Sequence, residues 1–329
     1  MKALVYTGPM QLSYQDVPDP VQNDGRQLIR VDSVGICGSD MHAFLGHDDR
    51  RPAPLILGHE AAGVIVGGPR DGEQVTINPL VSCGTCRACL AGRDNLCPDR
   101  QIISMPPREG AFAEWVTMPD QNLVTVPKNI PLEKAALAEP IACGWHAVKL
   151  ALAAARNNPS ELKVLVIGGG AIGLGAALSA QALGVKKITI LEPNDVRRDY
   201  LINNCGQNVL SPDALESGAD FDIVVDGVGY EATREMASAQ VQPGGVIAHI
   251  GLGSAVGGLD IRRMTLQEIT FIGTYTYTSQ DFRETALAIF EGRLGILDWT
   301  EKRPLAEGKT AFEDIRSGSV MAPKIILKP

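Results

Sequence analysis

Two textures divide this chain. Up to about residue 140, short β-like runs at 2–6, 27–34 and 61–66 are broken by glycine, proline and aspartate, which predicts an irregular β-rich domain with functional loops. From 141 to about 275 the runs lengthen and change period. An unbroken apolar stretch at 163–167 leads into helically spaced residues at 172–183 and a second apolar stretch at 187–191. Further strand candidates lie at 222–225, 245–250 and 269–272. Strands alternating with helices predict βαβ units and a parallel, doubly wound sheet of six strands. The tail shows a helical pattern at 282–290 and a strand-like run at 324–328. The expectation is therefore an α/β chain of two domains. The pattern divides them near residue 140 and leaves the placement of the tail after residue 280 open.

The first chemistry lies where the apolar run at 163–167 meets the helix. There Gly168, Gly169, Gly170, Ala171, Ile172 and Gly173 spell G-x-G-x-x-G. Gly168, Gly170 and Gly173 permit a tight turn and a close approach of the backbone to a pyrophosphate, whose charge rests on the helix N-terminus opened by Ala171 and Ile172. Glu192 ends the next strand, nineteen residues after Gly173, where a carboxylate accepts hydrogen bonds from both adenosine ribose hydroxyls. That predicts NAD rather than NADP. Arg197 and Arg198 follow within a helix that starts at Asn194 or Asp195, and they are expected to face solvent; Arg197 is also a candidate cofactor contact.

Two sets of metal-binding residue types stand in the first domain. Cys83, Cys86, Cys89 and Cys97 offer four thiolates within one lobe, which describes a closed, structural zinc site. The rival is an iron–sulfur cluster, but the last spacing is seven residues where the bacterial ferredoxin run has three. The second set is dispersed: Cys37, His59, and a carboxylate from Glu60 or Glu139. A thiolate, an imidazole and a carboxylate leave one coordination position open, the arrangement of a catalytic zinc. Asp40 is placed to fix the tautomer of His59.

Composition narrows the partners. A net charge of −8 without a basic run argues against nucleic acid or an anionic membrane surface and favours a small molecule. No stretch approaches the roughly 20 apolar residues of a membrane-spanning helix, and the first residues lack the features of a signal peptide. Seven cysteines, four of them within fifteen residues, suit metal ligation rather than a disulfide framework and suggest a cytoplasmic protein.

Five motifs then occur in order: GICGSDMH from Gly35, LGHEAAGVI from Leu57, CGTCRACLAGRDNLC from Cys83, AEPIACGWHAV from Ala138 and VLVIGGGAIGL from Val164. With them the chain resembles, over nearly its whole length, the zinc-containing medium-chain alcohol dehydrogenases, in particular the sorbitol, threonine and butanediol dehydrogenase branch. The resemblance implies a GroES-like β-rich catalytic domain of residues 1–140, which the tail, residues 281–329, rejoins, and a Rossmann cofactor domain of residues 141–280. It also implies one catalytic and one structural zinc, NAD as cofactor, and a homodimer or homotetramer. Ser39 matches the hydroxyl that takes the alcohol proton and passes it through cofactor ribose towards His42. Glu60 and Glu139 match positions of the third zinc ligand or of a carboxylate touching the zinc-bound water. The expected reaction is reversible hydride transfer between a secondary hydroxyl of a polyol, diol or similar small alcohol and NAD. A primary-alcohol or aldehyde enzyme is the alternative, and a non-catalytic dinucleotide-binding protein a more distant one. Phe112, Tyr275 and Tyr277 are candidates for shaping the substrate pocket, although aromatics in such positions are core as often as not. Two departures weaken any narrower substrate assignment: a shortened loop at 43–57, and Thr276-Tyr277 where polyol enzymes often carry an arginine before a tyrosine.

Overall fold

The computed structural model describes residues 1–21, 25–215, 218 and 220–329. They divide into two compact units. The first comprises Met1–Glu139, Thr278–Glu291 and Thr300–Pro329; the second comprises Pro140–Tyr277 and Gly292–Trp299.

In the second unit a six-stranded parallel sheet runs in the order Val209–Leu210, Lys187–Leu191, Lys163–Ile167, Phe221–Asp226, Val241–His249, Thr270–Gly273. Its central strands are almost wholly apolar because both faces are covered, and Leu165, Ile167, Val224 and Ile247 form one core cluster. The two-residue strand Val209–Leu210 escaped the sequence reading, being too short for a periodic signal. The helices Ala138–Ala155 and Ala171–Ala182 meet along small residues. A Cβ on Gly144 would lie 2.5 Å from the Ala176 nitrogen, so only glycine allows that approach.

The first unit is built on a seven-stranded sheet. Its main path runs Leu123–Thr125, Gln74–Ile77, Glu60–Val66, Arg26–Gly35, Lys324–Lys328, Thr300–Pro304, and Trp115–Pro119 also pairs with Arg26–Gly35. The tail strand thus lies antiparallel beside Arg26–Gly35, with Ile326 opposite Gly35. On the other side Gly35 pairs with Glu60. This register places Cys37, His59–Glu60 and Lys324 at the ends of three adjacent strands, and antiparallel pairing lets residues remote in sequence converge there.

Candidate metal and dinucleotide sites

Cys37 caps the helix Gly38–Phe44, which follows directly from the strand Arg26–Gly35. Asp40, fully buried in its first turn, joins the two halves of the dispersed site. Its Oδ2 accepts the Cys37 amide at 3.0 Å, its Oδ1 accepts the Gly58 amide at 3.2 Å, and Oδ1 lies 3.5 Å from His59 Nδ1. The second imidazole nitrogen is thereby left for a metal, as the tautomer argument requires. Gly58 has φ +87, and a Cβ there would strike the Phe112 ring at 2.5 Å, so the turn that delivers His59 depends on glycine.

The ligand atoms of Cys37, His59 and Glu60 lie within 4.8 Å of one another. Glu60 is buried; Lys324 Nζ donates to its Oε1 at 2.7 Å and to the Ile36 carbonyl at 2.8 Å. Its Oε2 is buried and has no hydrogen-bond partner among the described residues. A Cβ on Gly35 would come within 2.0 Å of that oxygen, so the absence of a side chain at Gly35 is what admits it. Burial pushes the His59 imidazole down, yet Asp40 and Cys37 outweigh it and hold His59 well above its ordinary value. Lys324 is likewise raised against its burial, by Glu60 and then Cys37. A place that draws positive charge so strongly, with an unsatisfied carboxylate oxygen, fits a divalent cation. Glu139, buried in the first turn of Ala138–Ala155, is not part of this three-residue group; its charge is felt at Lys324.

Ser39 is half-buried and His42 exposed on the same short helix. Phe112 and Tyr277 are fully buried, and Phe112 packs edge-on against Phe312 with ring centroids 6.0 Å apart. Of the two readings open for these aromatics, Phe112 and Tyr277 take that of core side chains, and Tyr275 is half-buried.

The ligand atoms of Cys83, Cys86, Cys89 and Cys97 also lie within 4.8 Å of one another. The Cys86 and Cys89 sulfurs are 3.5 Å apart and those of Cys83 and Cys89 4.0 Å. Those separations bracket the edge of a sulfur tetrahedron, about 3.8 Å for zinc–sulfur bonds of about 2.3 Å. They are far too long for a disulfide, about 2.05 Å. Amide groups of Thr85 and Cys86 and the Thr85 hydroxyl lower the Cys83 thiol to about 6, whereas burial and then Cys86 push Cys89 up to about 12. Four thiols this close do not release their protons independently, and a cation at their centre removes the conflict.

At the glycine turn, Gly168 adopts φ +101, and a Cβ on Gly173 would lie 1.8 Å from the Gly168 carbonyl oxygen. Glu192 is buried beside it. Oε2 accepts the Gly169 amide at 2.9 Å and Oε1 the Asn194 amide at 2.9 Å, so part of its hydrogen-bonding capacity goes to the backbone. Asn194 caps the helix Asp195–Cys205. Arg197 and Arg198 do not simply face solvent: both are half-buried, and Arg198 Nη1 donates to the carbonyls of Glu192 at 2.9 Å and Pro193 at 2.7 Å. The carbonyls that end the strand Lys187–Leu191 supply acceptors within one helical turn. Sequence reasoning also missed Lys324, Arg51 and Ser104, all buried near Cys37, His59 or Ser39. Only strand pairing and loop packing bring them there.

A metal-ligand set of mixed softness, a four-thiolate lobe and a glycine-rich turn on a parallel sheet together define a zinc-binding oxidoreductase that uses a dinucleotide. Residues 23–128 match the sequence model of the alcohol dehydrogenase GroES-like domain and residues 171–292 that of the zinc-binding dehydrogenases. The chain is 31% identical to the L-galactonate-5-dehydrogenase of Escherichia coli, over 89% of this chain and 88% of that one. It is 32% identical to the sorbitol dehydrogenase of Bacillus subtilis, over 85% and 83% respectively. The solved structure of acetophenone reductase from Geotrichum candidum in complex with NAD superimposes with a TM-score of 0.88 at 26% identity, covering 100% of this chain and 97% of that one. The chain belongs to the zinc-binding alcohol dehydrogenase family.

Proposed function

We propose that the protein oxidises a secondary hydroxyl of a small polyol, diol or sugar acid to the ketone, reversibly, with NAD. The observation that carries this reading is the convergence of Cys37, His59 and Glu60 around a buried, unpartnered carboxylate oxygen. In this reading Cys37, His59 and Glu60 hold the catalytic zinc and Cys83, Cys86, Cys89 and Cys97 the structural one. Glu139 acts from beside that set.

When bound, zinc polarises the substrate oxygen and the nicotinamide takes up the hydride from the carbinol carbon. Asp40 keeps the His59 ring in its ligating orientation. Ser39 receives the hydroxyl proton as the carbon–hydrogen electron pair leaves and gives up its own, which reaches solvent by way of exposed His42 on the same helix. Gly168, Gly170 and Gly173 admit the pyrophosphate to the amides that open the helix at Ala171 and Ile172. Glu192 would hold the adenosine ribose hydroxyls, and Arg197 would be a further cofactor contact.

Initial rates across sugar alcohols, aldonates, diols, threonine and simple alcohols, read by nicotinamide absorbance, test the reading. Turnover with NAD should exceed that with NADP by at least about tenfold in kcat/KM, since a 2′-phosphate beside the Glu192 carboxylate adds like-charge repulsion worth at least about 1.4 kcal/mol. Glu192→Ala should narrow that ratio. A panel with no turnover would refute the dehydrogenase reading, and an unchanged cofactor ratio in Glu192→Ala would refute the role of Glu192.

Seven free cysteines fit a reducing, cytoplasmic setting, and no helix among the described residues is long and apolar enough to cross a membrane. A second copy is the expected partner. Thr270–Gly273 is an edge strand with Phe271 exposed, and Val256, Ile261 and Leu266 nearby in sequence are exposed as well. An apolar edge of this kind is open to pairing. Phe271→Asp should shift the protein to smaller species in light scattering; an unchanged mass would place any interface elsewhere.

A further inference from the structure

The loop between the helix Gly38–Phe44 and the strand Leu55–Ile56 carries an arginine that the metal and cofactor sites leave unexplained. Arg51 is buried, with 4% of its surface exposed, and its guanidinium divides among three partners. Nη1 pairs with Asp48 Oδ2, Nε donates to the Ser104 carbonyl at 3.1 Å, and Nη2 donates to Ser39 Oγ at 3.5 Å. Ser104 is itself constrained: it is fully buried at φ +71, and its Oγ lies 3.4 Å from His59 Nδ1. Asp48 also accepts from the Arg50 side chain, so the anion that neutralises Arg51 is itself held in place.

We propose that Arg51 is a positioning residue for proton transfer, orienting and polarising the Ser39 hydroxyl. This rests on the reading of Ser39 as the group that receives the substrate proton. One lone pair of Oγ is taken by the guanidinium, so the hydroxyl hydrogen turns away from Arg51 and the other lone pair remains for substrate. During oxidation the substrate O–H bond breaks and a bond from that proton to Ser39 Oγ forms. The serine's own proton passes on to solvent, and the C–H electron pair leaves as hydride to the nicotinamide. A fixed positive charge beside Oγ favours the negative charge that develops there as its proton departs. Asp48 is the anion paired with Arg51: against its burial, Arg50 and then Arg51 hold its carboxylate below its ordinary range. A lysine would keep the charge but not the fork that reaches Ser39, Ser104 and Asp48 together.

The test compares Arg51→Ala, Arg51→Lys, Ser39→Ala and the Ser39→Ala/Arg51→Ala double variant as zinc-loaded full-length enzymes. Arg51→Ala should lose about 10- to 100-fold in kcat, at the lower end of an acid–base contribution. KM for alcohol and NAD should stay within about threefold, zinc content should be unchanged, and the solvent deuterium isotope effect on kcat should rise. Millimolar guanidinium ion should restore part of the rate, and Arg51→Lys should fall between wild type and Arg51→Ala. Adding Arg51→Ala to Ser39→Ala should change kcat by less than about threefold, because residues acting as a unit are not additive. If both variants are impaired and their losses multiply, Arg51 does not act through Ser39 and the proposal falls. A rise in KM with kcat unchanged has the same consequence. Near-normal turnover in Ser39→Ala removes the reading of Ser39 itself, a different failure. Should Arg51→Ala not fold, the same cycle is read with Arg51→Lys.

Discussion

His59→Ala should abolish turnover, by at least about 10⁴-fold, while leaving NADH binding within about twofold of wild type. His59 lies in the first compact unit and the glycine turn in the second, so the substitution leaves the residues of the glycine turn themselves unaltered. The loss exceeds that of an ordinary acid–base group, about 10² to 10⁴-fold, because the metal leaves with its ligand and substrate polarisation leaves with the metal. Metal analysis should find two zinc ions per chain in the wild type and one in His59→Ala, with Cys37→Ala behaving alike. Chelator titration gives the complementary result. The three-ligand site should empty first, in step with activity, whereas the four thiolates should resist longer because they leave no open coordination position. Two zinc ions retained in His59→Ala would show that the histidine is not a ligand, and iron with acid-labile sulfide in the wild type would overturn the structural-zinc assignment.

What could be seen in the sequence follows from how local each signal is. The four-cysteine lobe and the glycine turn are contiguous, so their chemistry is legible from spacing alone. The strand Lys163–Ile167 and the strand Lys187–Leu191 were also legible to the residue, since runs buried on both faces leave an uninterrupted apolar signature. The dispersed metal set is different. Cys37 and His59 draw attention only as members of ordered motifs, and what brings Glu60 beside them is the Gly35–Glu60 register, which no spacing rule contains.

Lys324 and Arg51 were illegible for a related reason. One lies 264 residues from its carboxylate partner and is brought there by a returning strand. The other lies on an irregular loop whose course depends on packing. For Phe112 and Tyr277 the sequence leaves pocket wall and core equally open, because an aromatic side chain near a site looks the same in sequence whether it lines a cavity or fills a core. Glu192 follows the strand Lys187–Leu191 as its sequence position indicates, but its bonds to the Gly169 and Asn194 amides belong to turn geometry. Arg198 likewise turns back to strand-end carbonyls that its helical position alone does not reveal.

Lys324 supports the second large prediction. Its ammonium and the Glu60 carboxylate form a buried pair, 5% and 0% exposed, joined at 2.7 Å. Removing one partner of such a pair costs about 3–5 kcal/mol, because the remaining charge is left in a poorly solvating interior. Lys324→Met keeps most of the side-chain volume and removes only the charge, so the loss is electrostatic rather than a packing defect. The affected unit should unfold roughly 10 °C lower. A zinc ion at the Cys37–His59–Glu60 set offers Glu60 a second source of positive charge. The drop should therefore be larger in chelator-treated protein than in zinc-loaded protein, whereas a purely mechanical role for Lys324 would give the same drop in both. Glu60→Gln should lose catalytic zinc, whereas Glu139→Gln should retain it and lose rate alone. Calorimetry with and without chelator, together with zinc analysis of the three variants, provides the measurement. A Lys324→Met midpoint within about 2 °C of wild type in both metal states would show that the buried pair does not stabilise the fold, and zinc retained in Glu60→Gln but lost in Glu139→Gln would transfer the third ligand to Glu139.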